Sequence, residues 1–202
     1  ETEEAAEPAA DVPQVLRLMR TADLPSLNGS IATDTSTFEI LGNTVLGLFR
    51  LGPNDVPENA MVDTYEMSDD GLHWTFHLKK GVNWTNGVEV DANDFVYAWR
   101  RLADPEVAGQ YSFMMQIAGL ENATEVMAGE KPLEDLGIVA TDDYTIELTL
   151  TQPVPFMKGL LTFPSFYPIN QEFREEKGDT YGTSVDTMIY SGPFVLSKWE
   201  TE

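Results

Sequence analysis

Cysteine is absent from the 202-residue chain, which excludes disulfides, thiolate zinc sites and cysteine nucleophiles. Histidine is nearly absent: His73 and His77 are the only two. No apolar run approaches the roughly 20 residues that a membrane-spanning helix requires. No signal-peptide pattern heads the chain, so the expectation is a cytosolic protein or an exported one whose leader has been removed. Basic residues are scarce as well, with 12 Lys and Arg against 34 Asp and Glu and a formal charge of -22. Affinity for phosphate backbones and anionic headgroups rests on cationic side chains, so nucleic acid and lipid surfaces are disfavoured as partners. Excess carboxylate instead favours a soluble monomer. Also missing are a Gly-rich phosphate loop and a G-x-S-x-G elbow. An enzymatic reading therefore has no constellation to stand on, and no cofactor is implied.

What is present is core-forming material, with 42% hydrophobic and 10% aromatic residues. Residues 1–11, ETEEAAEPAAD, carry no large apolar side chain and read as a flexible acidic linker. Val12 to Met19 alternates like a strand buried on one or both faces. A loop follows through Asp34, and Thr35 or Thr37 is the expected cap of a helix with Glu39 in its first turn. Phe38, Leu41, Val45, Leu48 and Phe49 form the stripe of that helix, which Gly52-Pro53 should stop. Residues 51–63 read as loop.

The organising stretch is LHWTFHLKKGVNWTNGVEVDANDFVYAWRRLADP, Leu72 to Pro105. Leu72, Trp74, Phe76 and Leu78 alternate with polar residues as one face of a strand, after an edge strand at Thr64 to Ser68 and a turn at Asp69-Asp70-Gly71. Trp84 is expected to pack down as a lid. Asp91 should cap a helix through Phe95, Trp99 and Leu102, with Arg100 and Arg101 in its last turn and Asp104-Pro105 as its stop. Helical pieces are expected at 111–120 and 123–127, and a hairpin at 137–140 and 144–150. A short helix should open at Pro153 and Pro155, a strand run over 165–169, a polar helix over 171–177 and a last strand over 194–199.

His73 and His77 have the spacing of a helical zinc pair, but the alternation around them is that of a strand, where four residues span roughly 13 Å. They read as surface histidines. Asp69-Asp70 and Asp142-Asp143 sit in turns, where Asp bonds nearby backbone, and neither has the spaced ligands of a calcium loop. The run Tyr111-Ser112-Phe113-Met114-Met115 is the best candidate for ligand contact, with core packing as the alternative.

Trp74-Thr75-Phe76-His77-Leu78-Lys79-Lys80-Gly81-Val82, Trp84, Asn86-Gly87, Ala92, Asp94 to Trp99 and Arg101 to Pro105 together resemble the signature region of bacterial extracellular solute-binding proteins of the oligopeptide- and dipeptide-binding family. Ser191-Gly192-Pro193-Phe194 through Trp199 and Leu24 to Leu48 resemble further family segments. The resemblance implies an α/β (α+β) mixed sheet with helices, periplasmic-binding-protein-like, as an incomplete first lobe with its small subdomain. It implies a small subdomain at 49–168, a partial first lobe from 12–48 and 169–202, and a second lobe beyond this chain. It also implies an extracellular receptor, lipid-anchored at the cell surface or periplasmic, that hands its ligand to the membrane permease of an ABC importer. The implied ligand is an extended oligopeptide held mainly by its backbone, a mode suited to broad specificity. Carried over by position, Thr33, Asp34 and Thr35 would line the cleft, with Tyr111, Ser112 and Phe113 as its opposite edge. The first loop reads Ala-Thr-Asp-Thr where peptide binders often have Glu-Gly, which keeps other ligands of the same family (sugar, nickel chelate, haem) open. A secreted carboxylate-dependent hydrolase is the alternative from another class.

Overall fold

A computed structural model describes residues 15–19 and 23–200 of the chain. The linker expected at 1–11 and the start of the first expected strand lie outside the described residues.

The scaffold is a four-stranded antiparallel sheet made of β3 (Val62–Met67), β4 (His73–Leu78), β5 (Ile138–Asp142) and β6 (Thr145–Thr149), in the order β3-β4-β6-β5. Trp74 stands opposite Met67 on one side and Leu148 on the other, and Phe76 opposite Tyr65 and Ile146. Period-2 geometry sends Trp74, Phe76, Leu78, Ile146 and Leu148 to one buried face. His73 is exposed and His77 half-buried on the other, where His77 Nδ1 lies 3.4 Å from Thr145 Oγ1 of the paired strand. The edge position expected for the strand near 64–68 is observed for β3. In the turn before β4, Asp70 Oδ1 accepts from the Ser68 hydroxyl and from the Leu72 N–H, the turn chemistry anticipated for this acidic pair.

The helix α2 (Ala92–Ala103) covers the buried face, packing on β5 and β6. Its capping is reciprocal: Asp91 Oδ1 accepts from the Asn93 and Asp94 N–H groups, and Asp94 Oδ2 accepts from the Asp91 N–H. Phe95, Trp99 and Leu102 are fully buried beneath it. Trp99 also donates its indole N–H to the Phe166 carbonyl at 2.9 Å. The expected lid is in place, since Trp84 is buried and donates to Asp94 Oδ2 at 2.7 Å. Burial pushes the Asp94 carboxyl up to about 7; the Trp84 bond opposes that shift and the nearby Asp91 charge adds to it.

Several expectations are corrected. The first helix, α1 (Thr35–Thr44), is capped by Asp34 rather than by a threonine, and it has no acidic residue in its first turn. It ends at Val45, not at Gly52-Pro53, because the chain turns into a hairpin, β1 (Phe49–Leu51) paired with β2 (Pro57–Asn59), where a loop was expected. Leu48 and Phe49 are buried as anticipated, but from outside the helix. Residues 15–19 are irregular and their apolar side chains exposed, with Met19 97% accessible. Residues 194–199 are likewise irregular. Neither segment meets a strand whose backbone it can pair with among the described residues, and an isolated extended segment gains nothing over its solvated form. Over 165–169 a 3-10 turn (Pro164–Phe166) replaces the strand.

The remaining helices are short. α3 (Met114–Ile117) occupies a narrower span than the helical piece expected at 111–120, while α4 (Ala123–Met127) matches the one expected at 123–127. α5 (Met157–Leu160) follows the two prolines, and α6 (Gln171–Lys177) matches the expected polar helix. No helix among the described residues is long and apolar enough to cross a membrane.

Candidate functional site

An open groove of about 760 Å³ runs along α1, bordered by the hairpin β1–β2 and by residues 162–167. Its position follows from local chemistry at the start of α1. Asp34 adopts an extended backbone and its Oδ1 accepts from the Thr37 N–H at 2.8 Å, while the Thr37 hydroxyl lies 2.7 Å from Asp34 Oδ2 and 2.6 Å from the Ser26 carbonyl. The carboxylate is thereby committed to the helix start, and the flanking Thr33 and Thr35 line the groove.

The Tyr111 run reaches the same groove because Gly109 allows close approach. A Cβ at Gly109 would stand 2.4 Å from the Ser30 carbonyl oxygen, so the turn that carries Tyr111 lies directly on the loop before α1. Tyr111 is half-buried and lines the groove. Its ring meets Phe38 edge-on at 5.4 Å and Phe163 at 5.2 Å, while Phe38 and Phe163 stand 4.8 Å apart. Three rings from α1, the Gly109 turn and the residue before Pro164 thus form one aromatic wall. Such contacts favour each ring pair by roughly 0.5–1.5 kcal/mol beyond area burial, which holds the wall in shape without a ligand.

Of the six residues assigned by resemblance, Thr33, Thr35 and Tyr111 line the groove. Asp34 is the cap between the two threonines. Ser112 and Phe113 are not among the lining residues; Phe113 is 44% exposed and stacks obliquely on the outer side of Tyr111 at 5.7 Å. Reading the sequence missed Phe38, Phe163 and Arg50 as lining residues. Phe38 carried a signal only for the helix stripe, and Phe163 and Arg50 carried none, because their roles depend on elements brought together across more than 100 residues. Polar character comes from the threonines, Glu39 and Arg50, whose Nη2 pairs with Glu58 Oε2 at 3.0 Å in an exposed ion pair worth at most about 1 kcal/mol. The wall suits an apolar or aromatic group, and the flanking hydroxyls and charges suit a polar backbone beside it.

The sequence model of a family described as "Bacterial extracellular solute-binding proteins, family 5 Middle" matches residues 56–202. A dipeptide-binding protein of Lactococcus lactis subsp. cremoris is 36% identical over 174 residues, which make up 86% of this chain and 31% of that protein. The substrate-binding domain of an oligopeptide ABC transporter from Bacillus anthracis superposes with a TM-score of 0.88 at 44% identity, covering 91% of this chain and 35% of that one. Listeria monocytogenes OppA bound to peptide superposes with a TM-score of 0.85 at 38% identity, covering 89% and 35% respectively. The chain therefore spans about a third of the length of the relatives it matches. These superpositions bear out the fold class, a mixed sheet with helices of the periplasmic-binding-protein kind. The relatives are named for binding rather than for catalysis, and for periplasmic or extracellular locations.

Proposed function

The chain belongs to family 5 of the bacterial extracellular solute-binding proteins, and from that premise we propose that it is part of the substrate-binding component of an ABC importer. It captures oligopeptides outside the cytoplasm and delivers them to a membrane permease unchanged. The observation that carries this reading is the groove with its Phe38–Tyr111–Phe163 wall, in a chain 38% identical to a receptor solved with peptide. Thr33 and Thr35 offer hydroxyls to the peptide backbone, Tyr111 receives an apolar side chain, and Asp34 holds the threonines in place. Phe113 supports Tyr111 from outside the groove, and Ser112, whose N–H donates to the Gly109 carbonyl, holds the turn that carries Tyr111.

Residues 12–48 and 169–202 form part of the first lobe and residues 49–168 its small subdomain. In favour of that grouping, the loop before α1 and the end of α1 bond to the last part of the chain: the Leu27 N–H donates to the Gly182 carbonyl, and the Ser191 and Gly192 N–H groups donate to the Thr44 carbonyl. The acidic stretch at 1–11 tethers the receptor, as a monomer, to a lipid anchor or leaves it free in the periplasm.

Tyr111→Ala in the full-length protein is expected to weaken peptide binding about tenfold or more while the protein still folds, as circular dichroism would show. Titration calorimetry against a peptide library measures the affinity; unchanged affinity removes the site, and no binding of any peptide removes the ligand class. Mass spectrometry of the recovered ligand tests the absence of chemistry, since cleaved peptide would identify a hydrolase.

A further inference from the structure

A second concavity, of about 410 Å³, shares no lining residue with the groove. Arg101 from the last turn of α2 and Arg174 from α6 converge on it, two of only 12 basic residues in a chain with 34 acidic ones. Both are half-buried, and neither makes an ion pair within 4.0 Å among the described residues. The Nε atom of each is buried without a hydrogen-bond partner there. Burial is the first cause holding the Arg101 guanidinium below its ordinary value, and the Arg174 charge is the second, ahead of the opposing pull of Tyr97 and Asp104. The charges of both arginines also reach Tyr97, whose hydroxyl lies in hydrogen-bonding reach of Arg101.

Two like charges drawn partly out of water, with no ion-pair partner within 4.0 Å among the described residues, repel each other, and an anion held between them would relieve that repulsion. The carboxylates that share the concavity do not fill it. Asp104 Oδ1 accepts from the Glu106 N–H at 2.8 Å, and Glu106 and Asp179 line the space without pairing to either arginine. Their charge opposes a dianion more than a monoanion. Guanidinium forks match the two oxygens of a carboxylate. We infer that the space between Arg101 and Arg174 is a binding site for a small monoanionic oxyanion, of which a carboxylate is the type.

Acetate titrated into the isotope-labelled full chain at matched ionic strength, against chloride as the control, should move the Arg101 and Arg174 Nε–H resonances saturably. Arg174→Gln should weaken that binding about tenfold or more, and Asp179→Asn, which removes a like charge at the rim, should tighten it. If Arg174→Gln does not fold by circular dichroism, Arg174→Lys, which keeps the charge and loses the fork, should still bind acetate more weakly than the parent. Resonances that do not saturate, or affinity unchanged in the folded variant, overturn the site. Dianionic phosphate binding more tightly than acetate overturns its preference for a single charge.

Discussion

Residues 72–105 and residues 191–200 are both rich in large apolar side chains, yet they behave in opposite ways. In the first, Trp74, Phe76 and Leu78 are buried on a strand with a neighbour on each side, and α2 covers them. In the second, Phe194 and Val195 are 63% and 56% exposed. Among the described residues no backbone bond to another element follows the one from Gly192 to Thr44. Apolar patterning measures the capacity of a segment to become a strand. Pairing requires a neighbouring strand edge with free N–H and C=O groups, and burial requires a second layer. Residues 72–105 supply their own helix and pair with β6 from a distant part of the chain; residues 194–199 meet no strand edge among the described residues, and only Leu196 and Trp199 pack in part against the core.

The contrast sharpens into measurable differences. Trp99→Ala removes a fully buried ring and leaves the Phe166 carbonyl without its donor, so urea unfolding should show a loss of about 3–5 kcal/mol. A loss under about 1 kcal/mol would mean that the sheet and helix do not share one core.

Asp94 tests the same region through pH. Its carboxyl is raised from 3.8 to about 7, so the folded state holds more protons than the unfolded state across that window. Stability should therefore fall as pH rises from about 4 to about 7, by as much as roughly 4 kcal/mol. Asp94→Asn keeps an acceptor for the Trp84 indole and carries no charge, so its stability should be flatter with pH than that of the parent. Unfolding midpoints at pH 5 and pH 8 measure the slope, and equal slopes in parent and variant would remove Asp94 as its source. Phe194→Ala completes the series with the smallest effect, within about 0.5 kcal/mol of the parent. A larger loss would show that the last residues are packed in solution.

Much of the scaffold was legible because its signals are local. Alternation over 73–78, the Asp91 cap, the arginines at the end of α2 and the turn aspartates each act within a few residues. The errors occurred where two local signals competed or a distant partner decided. Asp34, Thr35 and Thr37 can each cap a helix, and the Asp34 carboxylate took the role by meeting both the N–H and the hydroxyl of Thr37. Leu48 and Phe49 continue the spacing of the helix, but pairing of Phe49 with Asn59 drew that stretch into a hairpin. In the site, the resemblance located Thr33, Thr35 and Tyr111 on the groove, whereas Phe38 and Phe163 joined it through ring contacts that no spacing announces.

By itself the sequence determined the elements whose causes lie within a turn or a strand of each other, the acidic and cysteine-free character of the chain, and the signature that identifies its family. Only the tertiary structure decided which extended segments became strands, which rings face the groove, and that Arg101 and Arg174 stand together. Those outcomes depend on contacts between residues far apart in the chain, where sequence separation carries no information about distance and the energy of each contact exists only once both partners are held in place.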